Sequence, residues 1–237
     1  MKESKNQNAS VASITINGPV VIANRVINVG GSGNRDVDAL CQDMVVGSGV
    51  VIESRREIEA PIHSVKVGSA CSVRIIQGPD LQCVVSAEDN LIEMVRTEVV
   101  EGRLTIGFDG SARFTQPLLV TVVAPGISKI KSTGVGSLSY EGIDQQRLRC
   151  TASGTGSVKL GGRVGDLGLR LSGTASIDAV GLLATDLEVQ ASGVGSISAT
   201  AKIGADISVS GIAKVTVAGN PAHRSVETSG MAKVKWV

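Results

Sequence analysis

The sequence predicts an all-β chain wound into a single-stranded parallel β-helix, and three observations carry that expectation. A short pattern recurs six times: Thr133-Gly134-Val135-Gly136-Ser137-Leu138, Ser153-Gly154-Thr155-Gly156-Ser157-Val158, Ser172-Gly173-Thr174-Ala175-Ser176-Ile177, Ser192-Gly193-Val194-Gly195-Ser196-Ile197, Ser210-Gly211-Ile212-Ala213-Lys214-Val215 and Ser229-Gly230-Met231-Ala232-Lys233-Val234. The first glycines of the copies lie 20, 19, 20, 18 and 19 residues apart, a period that marks a solenoid whose units bury their apolar faces only by stacking. Between the glycines, apolar and polar residues alternate with period two, as half-buried strands require. The expected body is about six C-terminal coils of 18–20 residues, preceded by a more irregular β N-terminal half.

Taken in order, residues 1–13 are polar and read as a disordered N-terminus. Residues 14–56 read as leading strands, Ile14-Thr15-Ile16-Asn17-Gly18 and Met44 to Val51, around a Gly-rich loop at Gly30-Gly31-Ser32-Gly33-Asn34. Residues 57–237 form the expected β-helix domain. Its first part alternates through Val65/Val67, Val73/Ile75, Cys83/Val85, Leu104/Ile106 and Val120/Val122, with turn signals at Gly78-Pro79-Asp80, Glu88-Asp89-Asn90 and Glu101-Gly102. Asp89 to Val99 reads equally as a helical turn or a strand. In the repeats, Leu167/Leu169/Leu171 make one strand ending at a glycine corner, Ile177/Ala179 a second, and Val180 to Thr185 bends the chain toward the next long strand at Leu187. Coils stacked about 4.8 Å apart place equivalent residues in columns, and each buried aliphatic contributes about 1.5–3 kcal/mol. Tyr140, Leu160, Ala179, Ala199, Val217 and Trp236 fall in one such column. The sole Tyr and the sole Trp occupy its first and last copies, so Trp236 reads as a terminal plug rather than a ligand platform.

Composition narrows the partners. Twenty-three basic and 22 acidic residues are interspersed, for a net charge of +1, and no Lys/Arg run stands out. Nucleic acid and anionic membranes are therefore not expected partners. No stretch approaches the roughly 20 apolar residues of a membrane span, and Met1 to Asn8 leads into no apolar run of signal-peptide length. As written, then, the chain reads as lacking a membrane span and an export address. Cys41, Cys71, Cys83 and Cys150 form no CxxC pair and have only His63 and His223 to join them, which argues against zinc. Buried free thiols are favoured over disulfides, with Cys71 and Cys83 the first pair to test.

Several segments resemble, in order, the head GIN domain family of autotransporter-like adhesins: Gly47-Ser48-Gly49 through Ile58, Ile62-His63-Ser64-Val65-Lys66-Val67, Val73-Arg74-Ile75-Ile76-Gln77-Gly78, Ala87-Glu88-Asp89-Asn90-Leu91 and Thr97 through Ile106. With the Ser-Gly-x-Gly-Ser coils the resemblance covers roughly residues 47–237. It implies a right-handed parallel β-helix and an envelope or surface setting in bacteria. The export or lipoprotein signal usual in that family is not found in this chain, which leaves a cytoplasmic location as the alternative.

Three constellations invite chemistry. Asp166, Asp186 and Asp206, spaced 20 and 20 and each followed by Leu or Ile, are expected to stack in one column flanked by Gln146 and Ser225, as a Ca²⁺ ladder or as turn-capping carboxylates. The turn reading is favoured, because six to eight oxygens are needed around Ca²⁺. The serine columns lack a nearby general base except His223, so corner hydrogen bonding is favoured over nucleophilic chemistry. Arg163, Arg170, Asp178 and Glu188 are the residues that come nearest to a polysaccharide-cleaving cluster, against an aromatic content of 2%. The functional expectation is a non-catalytic, adhesin-like binding or structural module without a cofactor; a polysaccharide-active lyase or hydrolase is the alternative. Its partner would be a macromolecule such as a surface protein or glycan, or a second copy paired through an edge strand in residues 14–52.

Overall fold

The computed structural model describes residues 19–22, 25–28, 44–58 and 60–237, the first two stretches as backbone alone. The expectations for residues 1–13, for the strand Ile14 to Gly18, for the loop at Gly30 to Asn34 and for Cys41 lie outside the described residues. Among the described residues there is no α-helix. The N-terminal half holds β1 (Pro19–Ile22), β2 (Arg25–Asn28), β3 (Val45–Val46), β4 (Val51–Arg56), β5 (Ser64–Val67), β6 (Ser72–Gln77), β7 (Gln82–Glu88), β8 (Val95–Val100), β9 (Arg103–Phe108), β10 (Ala112–Arg113), β11 (Leu119–Ala124) and β12 (Lys129–Ser132). The coils follow as β13 (Val135–Ala152), β14 (Thr155–Leu171), β15 (Thr174–Ala191), β16 (Val194–Val209), β17 (Ile212–Ala218), β18 (His223–Thr228) and β19 (Lys233–Trp236). Between Asp89 and Val99 both readings are realised, a 3-10 turn at Ile92–Met94 and then β8.

Each long strand bends around a coil. In β13 the first segment pairs with β6, the last with β12, and the register slips between Tyr140 and Ile143 where the chain turns the corner. Two broad sides result. The first runs β4, β7, β11, β6, then the opening segments of β13 to β16, β17 and β19. The second runs β8, β9, β5, β12, then the closing segments of β13 to β16 and β18. Pairing within the coils is parallel and in register, with Leu138, Val158, Ile177, Ile197 and Val215 in one buried column. A second column, Leu104, Val65, Ile130, Cys150, Leu169, Val189 and Ile207, passes from β9 to β16 without interruption. The N-terminal half is therefore part of the same solenoid core. The sixth copy of the glycine pattern supplies only β19, so the ladder makes about five turns rather than six.

The corners explain the glycines. At Gly173 an added Cβ would lie 2.2 Å from the Gly154 carbonyl oxygen of the coil below, and Gly193 meets Gly173 in the same way. Backbone approaches backbone there, and only a residue without a side chain fits.

Antiparallel strands close the N-terminal end, β7 and β4 on the first side and β8 on the second. At the other end the inward positions change character. Arg224 replaces the Ala205 position, and its guanidinium stands 4.5 Å from the centroid of half-buried Trp236, a cation–π contact over the last apolar rung. Tyr140 is not at an end: strands β6, β11, β5 and β12 lie beneath it and it is fully buried. Its hydroxyl accepts from the Ile127 amide at 3.1 Å and donates toward Gln77 Oε1 at 3.4 Å. Tyr140→Phe strands that buried amide, and a loss of about 1–2 kcal/mol in denaturant titration is expected.

Candidate functional site

The outward positions of the second side carry most of its charge. Successive coils place Arg147, Asp166, Asp186, Gly204 and His223 in one column and Arg149, Gly168, Glu188, Asp206 and Ser225 in the next. Together they line an open groove of about 770 Å³. Arg147 Nη2 lies 3.3 Å from Asp166 Oδ2. Arg149 reaches past its immediate neighbour to Glu188 Oε2, two coils away, at 2.8 Å. The intervening residue is Gly168, and a Cβ there would sit 2.7 Å from the Arg149 Nη1. The glycine opens the path for that ion pair. Hydrogen bonding from Arg149, with further help from its charge, from Gln190 and from Arg170, holds the Glu188 carboxyl below its ordinary value against the opposing effect of burial. Both partners are about half exposed, so the pair is worth less than about 1 kcal/mol and shapes the groove more than it stabilises the fold.

The expected aspartate column is only partly formed. Asp166 and Asp186 are direct partners, but Asp206 stands beside Glu188, two residues along the strand. The coil between them is the short one: its corner after Ala199 has fewer residues, so the offset falls from 20 to 18 before Gly204 and Asp206 arrive. Asp166 is flanked by Arg147 rather than Gln146, while Ser225 does neighbour Asp206. Among the described residues no three His, Cys, Asp or Glu side chains converge as a metal site would need.

The other candidates are dispersed. Asp178 lies on the first side, where its carboxylate accepts from the Val180 amide at 3.2 Å, whereas Glu188 and Arg170 lie on the second and Arg163 pairs with Asp144 at a corner. The polysaccharide-cleaving cluster is thus not assembled. The serine hydroxyls serve the corners: Ser153 and Ser210 Oγ donate to the Ser132 and Ala191 carbonyls at 3.5 Å, and Ser137 Oγ to Ser72 Oγ at 3.0 Å. Cys71, Cys83 and Cys150 are buried free thiols. Burial pushes Cys71 and Cys83 up to about 11 and Cys150 up to about 12, which leaves them protonated and unreactive at neutral pH.

One buried carboxylate escaped the sequence reading. Glu88, at the end of β7, accepts from the Gly49 amide at 2.8 Å, the Thr115 amide at 3.0 Å and the Thr115 hydroxyl. Burial pushes its pKa up, but these bonds and one from the Gln116 amide outweigh it and hold the carboxyl below its ordinary value. Asn90 extends the clamp, accepting from the Ser48 amide at 3.0 Å and donating to the Val46 carbonyl at 2.8 Å. A Cβ at Gly47 would fall 2.0 Å from the Glu88 carboxylate. Gly47-Ser48-Gly49 and Glu88-Asp89-Asn90, two of the motifs behind the family resemblance, are therefore two halves of one latch that ties the leading segment to the cap. Their 39-residue separation hid the contact.

Known proteins place this geometry in context. The crystal structure of a putative adhesin from Bacteroides fragilis is 19% identical, with a TM-score of 0.69, covering 81% of this chain and 100% of that one, which shows a shared fold. A putative adhesin from Parabacteroides merdae (16% identity, TM-score 0.46, covering 82% and 99%) and a putative lipid binding protein from Parabacteroides distasonis (16%, 0.47, 82% and 99%) are more distant matches. No curated protein is significantly similar to the chain. The family model described as "Putative auto-transporter adhesin, head GIN domain" matches residues 62–221, from the first core residue of β5's approach to the turn before β18. With the Glu88 half of the clamp, the glycine corners from Gly134 to Gly211 and the continuous core inside that span, the chain belongs to the head GIN domain family.

Proposed function

We propose that this protein is a non-catalytic, adhesin-like module: a rigid rod whose outward polar faces and edges hold another macromolecule, a surface protein or a glycan, at the cell envelope. The observation that carries this reading is the state of the charged groups on the second side. They stand on a regular, solvent-facing sheet, Asp166 and Glu188 are occupied by arginines, and Glu188 is held anionic rather than primed as an acid. A glycosidase needs one carboxylic acid with a raised pKa opposite a second carboxylate, and Asp178 and Glu188 face different sides. Family membership supports the adhesin reading and the envelope setting.

The test is adhesion. Beads coated with the protein are expected to adhere to bacterial or host surfaces, with binding weakened as salt rises. In parallel, incubation with anionic polysaccharides should leave chain length unchanged. Depolymerisation that disappears in Asp178→Asn or Glu188→Gln would overturn the reading in favour of a lyase or hydrolase.

A further inference from the structure

The charges that alternate evenly along the sequence separate in space. On the second side, β9, β5, β12 and the last segment of β13 present Arg103, Lys66, Lys129, Lys131, Arg147 and Arg149 outward, and no carboxylate. The closing segments of β14, β15 and β16, followed by β18, present Asp166, Asp186, Glu188, Asp206 and Glu227, with Arg170 and His223 as the basic groups at outward positions and Arg224 at the rim of the groove, turned toward Trp236. The outermost strand β8 adds Arg96 and Glu98, which face each other at 3.9 Å. Like charges are direct neighbours within each half: Lys66 beside Lys131, Lys129 beside Arg149, Asp166 beside Asp186, Glu188 beside Asp206. Like charges placed opposite one another in a sheet repel and cost stability. Ion pairs relieve this only at the boundary, through Arg147–Asp166 and Arg149–Glu188.

We propose that this face is completed by a second copy of the chain, docked face to face with its coils running the opposite way. The eight strands divide four and four about the line between β13 and β14, the first four basic and the second four carrying all five carboxylates. A two-fold axis lying in the interface along that line sets β13 over β14, β12 over β15, β5 over β16 and β9 over β18. Lys129 then stands over Glu188, and Lys66 and Lys131 come within a diagonal of Asp206 and Glu188. A polyanion would satisfy one half and be repelled by the other, so it fits the segregation less well. The face measures about 38 Å by about 20 Å, from strand spacing and rise, or about 760 Å² per copy. That is close to the roughly 800 Å² per partner of a standard specific interface. The proposal rests on the reading of the second side as a binding face and names its partner.

The experiment is a mass measurement by analytical ultracentrifugation on the full chain alone, with circular dichroism to confirm that each variant is folded. The wild type is expected to be a dimer at low salt, with its dissociation constant rising at least tenfold as added salt shortens the Debye length from about 30 Å to about 3 Å. Lys66→Glu/Lys129→Glu/Lys131→Glu cancels the net charge of the basic half, and Glu188→Lys/Asp206→Lys reverses the two carboxylates that those lysines would face. Each variant alone should be monomeric, and an equimolar mixture should recover the dimer mass. A wild type that stays monomeric at low salt, a triple variant that still dimerises, or a mixture that remains monomeric would overturn the proposal. Retention of a monomeric wild type on dextran sulfate, lost in the triple variant, would also overturn it and assign the basic half to a polyanion. Because the mass measurement contains only this chain, its failure leaves the bead-adhesion result untouched, and failed adhesion leaves the dimer intact.

Discussion

Gly173→Ala lowers the melting temperature by roughly 10 °C or more, whereas Gly181→Ala leaves it almost unchanged. At Gly173 the new methyl would stand 2.2 Å from the Gly154 carbonyl oxygen and 2.6 Å from the Ser153 backbone. Neither is a flexible side chain, and the Gly154 carbonyl accepts the Thr174 amide at 3.1 Å, so moving it breaks the corner bond that sets the coil spacing. Overpacking costs about 1–3 kcal/mol and occasionally more, a clash with backbone that cannot swing aside belongs at or above the top of that range, and 1 kcal/mol corresponds to about 2–4 °C in a chain of this size. Gly181 lies on a corner where the added atom would meet only ordinary contacts, the nearest 3.6 Å away at the Leu160 carbonyl oxygen. There the smaller unfolded-state entropy of alanine stabilises by about 0.4–1 kcal/mol. Equal melting temperatures for the two variants would refute the account of the corners.

Glu88→Ala is the second large effect. It removes the acceptor for the Gly49 and Thr115 amides in a site where the carboxylate is only 1% exposed. Each buried donor left without a partner costs about 1–3 kcal/mol, so the loss should approach 3–5 kcal/mol. It should concentrate in the latch, as faster amide exchange from Val50 to Arg56 and at Thr115. Glu88→Gln keeps the shape without the charge and should cost about 1.5–3 kcal/mol, the worth of a hydrogen bond to a charged group. The pH dependence follows from the lowered carboxyl. Its stabilisation is complete above the unfolded value near 4.5 and disappears as pH falls through the lower folded value. Wild-type protein should therefore lose latch protection under acid, and Glu88→Gln should not show that loss. Unchanged exchange at Val50 to Arg56 in Glu88→Ala would remove the clamp from consideration.

How much of this was legible follows from the range of each interaction. The coil period and the inward aliphatics could be read because a solenoid converts spatial neighbours into residues about nineteen apart, and the columns from Leu138 to Val215 follow that rule. The same rule misplaced Asp206, since a constant spacing of 20 was carried across a coil whose corner is shorter. Tyr140 looked terminal because the strands beneath it carry no glycine signature. Glu88 was read as part of a turn, as its position after an alternating strand suggests; its partners Gly49 and Thr115 come from segments 39 and 27 residues away, with no periodicity to connect them. The charge separation was hidden by averaging. Net charge lets Lys129 and Asp144 cancel wherever they lie, whereas the strand register puts Lys129 next to Arg149.

The base of the rod is threaded differently from its shaft. Strand β11 lies between β6 and β7, and β12 between β5 and β13, so segments some fifty residues apart interleave. Above them, every rung needs only the one before it. Growth of the shaft can thus proceed rung by rung, but the foundation cannot be laid until Leu119 to Ser132 has been synthesised. Closing that long loop is the entropically demanding step. Newly made chain should leave β6 without either neighbour and β5 with β9 alone until then, and assembly of the shaft follows as a zipper from a late-forming seed.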